Sequence, residues 1–189
     1  MRTFVIAEAG SNHDGMLQKA VGLIDVARDA GADAVKFQYW SDAKRLAERR
    51  NAPAYLPIYE QYRMPPAWLP GLLDACTRRG IEFMVTTYLP EDIERVVAYV
   101  RRFKIASFEA EDYDFVTAHR AYGKPIIVSH GLSHGLTPDA INLHCVSAYP
   151  TPLDEAHLAL IRDGYDGFSD HTANVLTGAF AVCAGARVL

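Results

Sequence analysis

What constrains this chain most is a repeated unit: a short apolar, β-prone run ending in a polar group, followed by a helical pattern. Seven runs end this way, in groups able to grip an anion, a sugar or a metal. FVIAEAG carries Glu8, AVKFQ carries Lys36 and Gln38, EFMVTT carries Thr86, and FKIASFE carries Lys104, Ser107 and Glu109. PIIVS carries Ser129, INLHCVSAYPT carries Ser147 and Tyr149, and GFSDHT carries Ser169 and His171. Strands alternating with helices predict an α/β fold with a parallel sheet. Functional groups gathered at the C-terminal ends of successive parallel strands predict a (β/α)8 TIM-type barrel with its active site at that end.

The helical patterns are legible between the strands. One places Leu17, Val21 and Ile24 along one side and stops at Gly31. Another, opened by Pro65 and Pro66, turns Leu69, Leu72, Leu73 and Cys76 inward and stops at Gly80. A third carries Ile93, Val96, Val97 and Val100, a fourth ends at Gly123, a fifth surrounds Leu158 and Ile161, and a sixth covers 175–184. The stretch 41–64 is irregular and much longer than the ~2–6 residues usual in such connections, so it is expected to be a functional loop or to carry a short helix.

Two departures predict a reduced barrel. Between Ser129 and Ile141 only HGLSHGLTPDA remains, whereas parallel neighbours need a dozen or so connecting residues, usually helical. The helix after strand 5 is therefore expected to be shortened to a loop. Arg187, Val188 and Leu189 are expected inside strand 8, with helix 8 absent. The expectation is a single catalytic barrel domain over 1–189, truncated at strand 8, with no C-terminal antifreeze-like domain. An open strand-8 edge is a liability, and a partner subunit, most simply in a homodimer, is expected to cover that flank.

Half of the residues are apolar and the net charge is −4, which fits a globular chain and excludes a basic nucleic-acid-binding tail. No apolar run approaches the ~20 residues of a spanning helix, so no membrane partner is expected. Cys76, Cys145 and Cys183 have no metal-ligand or CxxC spacing. An odd count without a secretory leader fits a reducing, cytoplasmic setting.

Lys36 and Gln38 are two apart, as are Ser107 and Glu109, so each pair projects to one side of a regular strand. Lys104 and Ser107 are three apart and face opposite ways unless the backbone is irregular near Ala106. A lysine inside an apolar strand is costly unless it meets an anion. Two on different strands favour a pocket, against the reading in which each pairs with an acid such as Glu8 or Glu109. Ser107, Ser129 and Ser169 offer hydroxyls to an anion. His171 reads as a metal ligand or an acid/base, or as a histidine that is only hydrogen-bonded beside a helix start, with Asp170 then as that helix's cap. His13 either contacts substrate or braces its turn. His119 and His157 are expected to be solvated, His130 and His134 flank the shortened loop without an assigned role, and Met16, Met64 and Met84 read as packing.

The segments IAEAGSNHDG (6–15), GADAVKFQ (31–38), EFMVTTYLPED, FKIASFE (103–109), GKPIIVS (123–129), LHCVSAYPTP (143–152) and FSDHT (168–172) resemble the sialic acid synthase family, which includes legionaminic and pseudaminic acid synthases and spore-coat polysaccharide proteins. The resemblance runs in order along nearly the whole chain. It implies a barrel that condenses phosphoenolpyruvate with an N-acylated aldose of the N-acetylmannosamine type, giving a 3-deoxy-2-keto sugar acid and phosphate. By the same resemblance Lys36, Gln38, Thr86, Lys104, Ser107, Ser129, Ser147, Tyr149 and Ser169 hold phosphoenolpyruvate. Glu8 and Glu109 face the reacting carbons, and His171 binds a divalent metal, Mn2+ or Mg2+. The family's second metal histidine lies beyond the point where this chain ends. Its Ser-Thr-Gly after strand 5 reads Ser129-His130-Gly131 here, which makes His130 a candidate replacement ligand.

Two other functions use the same barrel face: a non-catalytic remnant that binds a phosphorylated or sugar ligand, and a metal-dependent sugar isomerase or aldolase.

Overall fold

The computed structural model describes residues 2–132 and 135–189. His134 lies outside them. The chain divides into two compact units, residues 6–101 and residues 2–5 with 102–189.

In the first unit, β1 (Ile6–Gly10), β2 (Ala34–Tyr39) and β3 (Glu82–Thr87) run parallel in chain order. Glu8 lies opposite Lys36, and Gln38 opposite Thr86, with a register shift between Glu8 and Gly10. Between the strands come α1 (Leu17–Asp29), α2 (Ala43–Arg49), α3 (Leu56–Gln61) and α4 (Leu69–Arg79), and α5 (Pro90–Val96) follows β3. Ala20, Ile24 and Ala27 of α1 and Leu69, Leu72, Ala75 and Cys76 of α4 are buried, each at helical spacing on one face. Phe37, Phe83 and Leu72 are among the side chains that close this core, each contributing about 1.5–3 kcal/mol of burial. Gly80 ends α4 at φ 68°, and its N–H reaches back to the helix carbonyls, a conformation that glycine adopts without a Cβ penalty. Within 41–64 the sequence forms two short helices rather than one. The Asp42 carboxylate accepts from Arg45 N at 3.0 Å and starts α2.

In the second unit, β4 (Phe103–Ile105), β5 (Ile126–His130), β6 (Ile141–His144) and β7 (Gly167–Phe168) are parallel and again in chain order. The helices α6 (Tyr113–Arg120) and α7 (Thr177–Ala184) belong to it. The helix expected around Leu158 and Ile161 is a 3-10 segment, Leu158–Asp163. The region after β5 has no helix among its described residues, as expected. One side chain does much of the missing element's work. Asn142 Nδ2 donates to Thr137 O and Ala140 O, at 3.1 and 3.0 Å, while its Oδ1 accepts from Thr137 N and His130 Nε2, both at 2.8 Å. These bonds satisfy loop backbone groups that a helix would have paired internally.

The open strand-8 edge is corrected. Val188 bridges Phe4 on one side and Gly167 on the other. Phe4 N donates to Arg187 O at 2.8 Å, Leu189 N to Phe4 O at 2.9 Å, and Phe168 N to Val188 O at 3.0 Å. Backbone groups on both sides of this segment are therefore paired, in a bridge too short to be a regular strand. Among the described residues no helix is long and apolar enough to cross a membrane.

Candidate functional site

In residues 6–101 the polar group is built on the C-terminal ends of β1, β2 and β3. Lys36 is 9 % exposed and Thr86 1 %. Lys36 Nζ donates to Thr86 Oγ1 at 3.1 Å and forms an ion pair with the Glu8 carboxylate, whose side chain is half exposed. The acid-pairing reading is thus correct for Lys36, and the partner is an acid that itself reaches solvent. Gln38 Oε1 accepts from Ser11 Oγ at 3.5 Å. Beside them the His13 ring is fully buried, Nδ1 accepts from Gly15 N at 3.1 Å, and its edge meets Trp68 at 5.3 Å between ring centroids. Burial holds its pKa below the ordinary histidine value against the pull of Asp14. Of its two expected roles, these contacts are those of a brace for the turn.

In residues 102–189 the lysine is Lys104, 6 % exposed on β4. Its Nζ donates to Ser129 Oγ at 2.6 Å and to Ile105 O at 2.8 Å. β4 ends at Ile105, so the backbone leaves the strand at Ala106, as anticipated. This irregularity brings Ser107 Oγ within 3.2 Å of Ser147 Oγ. The pairing of Ser107 with Glu109 on one strand face is corrected for the same reason: Glu109 opens a 3-10 turn, Glu109–Glu111, and is 1 % exposed. Cys145 lies in the same neighbourhood. Burial pushes its thiol up to about 11, with Lys104 and a hydrogen bond from Ser107 opposing, so it is a protonated packing group and not a nucleophile.

Sequence reasoning missed the steric role of Gly131. A Cβ at that position would stand 2.8 Å from Cys145 Sγ and would also collide with Ser147 Oγ. The absence of a side chain is what lets β5's end approach the Ser147 segment. Only the presence of a glycine in Ser129-His130-Gly131 hinted at it.

Tyr149, His171 and Ser169 form a third group. The rings of Tyr149 and His171 are 4.2 Å apart at 32°. His171 Nδ1 donates to Val146 O at 2.5 Å, which leaves Nε2 as the basic nitrogen; the Tyr149 hydroxyl lies 3.1 Å and Ser169 Oγ 3.4 Å from it. An imidazole oriented through its other nitrogen is the usual posture of a metal ligand. Among the described residues, however, no group of three His, Cys, Asp or Glu is placed to hold an ion. His130 Nε2–H donates to Asn142 Oδ1 and the ring packs near Tyr165, while among the described residues its buried Nδ1 has no hydrogen-bond partner. Asp170 does not cap α7. Its carboxylate accepts from Thr172 N at 2.8 Å, closing a turn well before the helix. His119 is fully buried between Phe103 and Phe115, contrary to the solvated expectation, and burial pulls its pKa down to about 4.

A family model described as the NeuB family matches residues 23–189. The chain belongs to the NeuB family. The NeuB chain is 32% identical over 223 residues to a pseudaminic acid synthase of Campylobacter jejuni strain 81-176, covering 100% of this chain and 64% of that protein. It is 30% identical to an N,N'-diacetyllegionaminic acid synthase of Legionella pneumophila, covering 100% and 63%. The solved N-acetylneuraminic acid (sialic acid) synthetase from Leptospira borgpetersenii, in complex with citrate, superposes with a TM-score of 0.88 at 27% identity, covering 100% of this chain and 72% of that one. This NeuB chain therefore spans less than two thirds of the length of these curated relatives.

Proposed function

We propose that this NeuB chain carries the phosphoenolpyruvate-binding machinery of a nonulosonic acid synthase, which joins phosphoenolpyruvate to an N-acylated aldose and releases phosphate. The observation that supports this best is the buried ammonium of Lys104 against the Ser129 hydroxyl, with Ser107 and Ser147 adjoining it. A cation in an apolar strand is retained where an anion needs it. Phosphoenolpyruvate carries about three negative charges, which lysines and hydroxyl donors neutralise and orient. In this reading Lys36, Gln38, Thr86, Lys104, Ser107, Ser129, Ser147, Tyr149 and Ser169 hold the substrate.

The enol C3 forms the new bond to the aldehyde carbon, whose oxygen takes up a proton. The cationic centre left at C2 adds water, which gives up a proton, and a carboxylate, Glu8 or Glu109, stabilises that centre or accepts the proton. The C2–O bond to phosphate then breaks, leaving the ketone and inorganic phosphate. A divalent ion, Mn2+ or Mg2+, would take His171 Nε2 as a ligand and supply Lewis-acid polarisation of the aldehyde. Action in the cytoplasm and as a homodimer belongs to the same proposal.

The test is release of inorganic phosphate from phosphoenolpyruvate. Dependence on both N-acetylmannosamine-type sugar and Mn2+ is expected. Release without sugar overturns condensation, and tight binding without turnover favours the remnant.

A further inference from the structure

Residues 6–101 hold a second polar concavity that the condensation reading does not use. Alternation along β2 places Lys36 and Gln38 on one face and Phe37 and Tyr39 on the other. In the same unit lies a cleft of about 430 Å3 lined by Ser41, Asp42, Arg45, Arg63, Pro66, Glu91 and Arg95.

Three guanidiniums and two carboxylates line it, and a third carboxylate, Asp92, lies beside Arg95. Arg45 forms an ion pair with Glu91. The Asp42 carboxylate is occupied by Arg45 N as the cap of α2. Beneath the cleft, Asp92 is fully buried. Its Oδ2 accepts from Ser41 N at 2.9 Å, and Arg95 Nε stands 3.6 Å from Oδ1. Burial holds the Asp92 carboxyl above its ordinary range, which weakens it as a counter-charge. Arg63 donates NH1 to a neutral acceptor, Ser41 O, at 3.0 Å, and among the described residues it has no carboxylate partner. A second, independent sign is Tyr39. Its ring is fully buried and, among the described residues, its hydroxyl has no hydrogen-bond partner. That hydroxyl lies within electrostatic reach of Asp92, Arg95 and Arg63.

We propose that this cleft is an anion site that takes a phosphate group, free or as a monoester. Guanidinium forks match phosphate oxygens two at a time, and an orphaned phenol is a donor in search of an acceptor. A dianion held by Arg63 and Arg95 would tie the segment after β2 to α5, the two elements that already share Ser41 and Asp92.

Calorimetric titration of the intact chain with inorganic phosphate tests this. Lys104→Met removes phosphate binding at the condensation site, and saturable phosphate binding is expected to survive in that variant. Adding Arg63→Leu should weaken the remaining binding about tenfold or more, as loss of a charge-assisted contact does. Arg63 is exposed, so the substitution leaves the fold intact, which circular dichroism checks; Arg95→Leu is the second variant. Loss of all phosphate binding with Lys104→Met alone, or affinity unchanged by both arginine variants, overturns the proposal. A hexose 6-phosphate binding more tightly than phosphate identifies a monoester as the occupant, and equal affinity identifies free phosphate.

Discussion

Lys104 Nζ stands 2.6 Å from Ser129 Oγ, an ammonium from β4 reaching the hydroxyl at the end of β5. Both groups are more than nine-tenths buried. Removing the ammonium should therefore remove the main attraction for a phosphate-bearing anion. Lys104→Met is expected to weaken phosphoenolpyruvate binding at least a hundredfold by calorimetry, since it deletes charge-assisted bonds of about 1.5–3 kcal/mol each. Ser129→Ala, which deletes one neutral donor, should cost about tenfold or less. Unchanged affinity in Lys104→Met would sink the phosphoenolpyruvate assignment.

Gly131→Ala tests the close approach of β5's end to the Ser147 segment. The added methyl meets Cys145 Sγ at 2.8 Å, and overpacking of this kind costs about 1–3 kcal/mol. A lower urea midpoint with unchanged slope is expected, together with weaker ligand binding as Ser147 moves from Ser107. Wild-type stability in this variant would show that the segment yields freely.

The strand ends were readable because burial and alternation leave a plain mark: a lysine among Val, Phe and Ile stands out at Lys36 and Lys104. The break at Ala106 followed from one piece of arithmetic, the spacing of three between Lys104 and Ser107. Glu109's place in a 3-10 turn was not readable, because FKIASFE keeps strand-like composition past the point where pairing stops. His119 was misread because its helix face is buried by aromatic neighbours from distant positions, Phe103 among them. Asn142 looked like an ordinary strand residue, and its value comes only from loop groups that a missing helix leaves unpaired.

His119 gives a pH dependence of definite sign. Its pKa is about 4 in the folded chain and near the ordinary 6.5 when unfolded, so the unfolded state binds the proton first. Stability contributed by the neutral ring is fully present above about pH 6.5 and declines as pH falls toward 4. The whole window is worth about 3 kcal/mol at 1.36 kcal/mol per unit. Urea denaturation between pH 4.5 and 7.5 should show this slope, and His119→Gln should flatten it. An identical slope in the variant would place the acid sensitivity elsewhere.

Asn142→Leu keeps the volume but strips four hydrogen bonds, leaving His130 Nε2, Thr137 N and the carbonyls of Thr137 and Ala140 to find other partners. A loss of about 2–4 kcal/mol is expected from several buried polar groups unpaired at once. The loop after β5 should also become the first site of proteolytic cleavage. Wild-type protease resistance would mean that the short crossover holds its shape without this side chain.

The ring of His171 is oriented for a single purpose if a divalent ion binds here. Its Nδ1 is fixed on Val146 O, and Nε2 faces the hydroxyls of Tyr149 and Ser169. An ion arriving at Nε2 would displace the Tyr149 contact, so Tyr149→Phe should leave Mn2+ affinity equal or higher while His171→Ala lowers it. The expected loss in His171→Ala is about tenfold or more, the cost of removing one imidazole ligand. Quenching of the free Mn2+ paramagnetic resonance signal reads both variants directly, without turnover. Equal Mn2+ binding by wild type and His171→Ala would move the ion, or the need for one, away from this histidine.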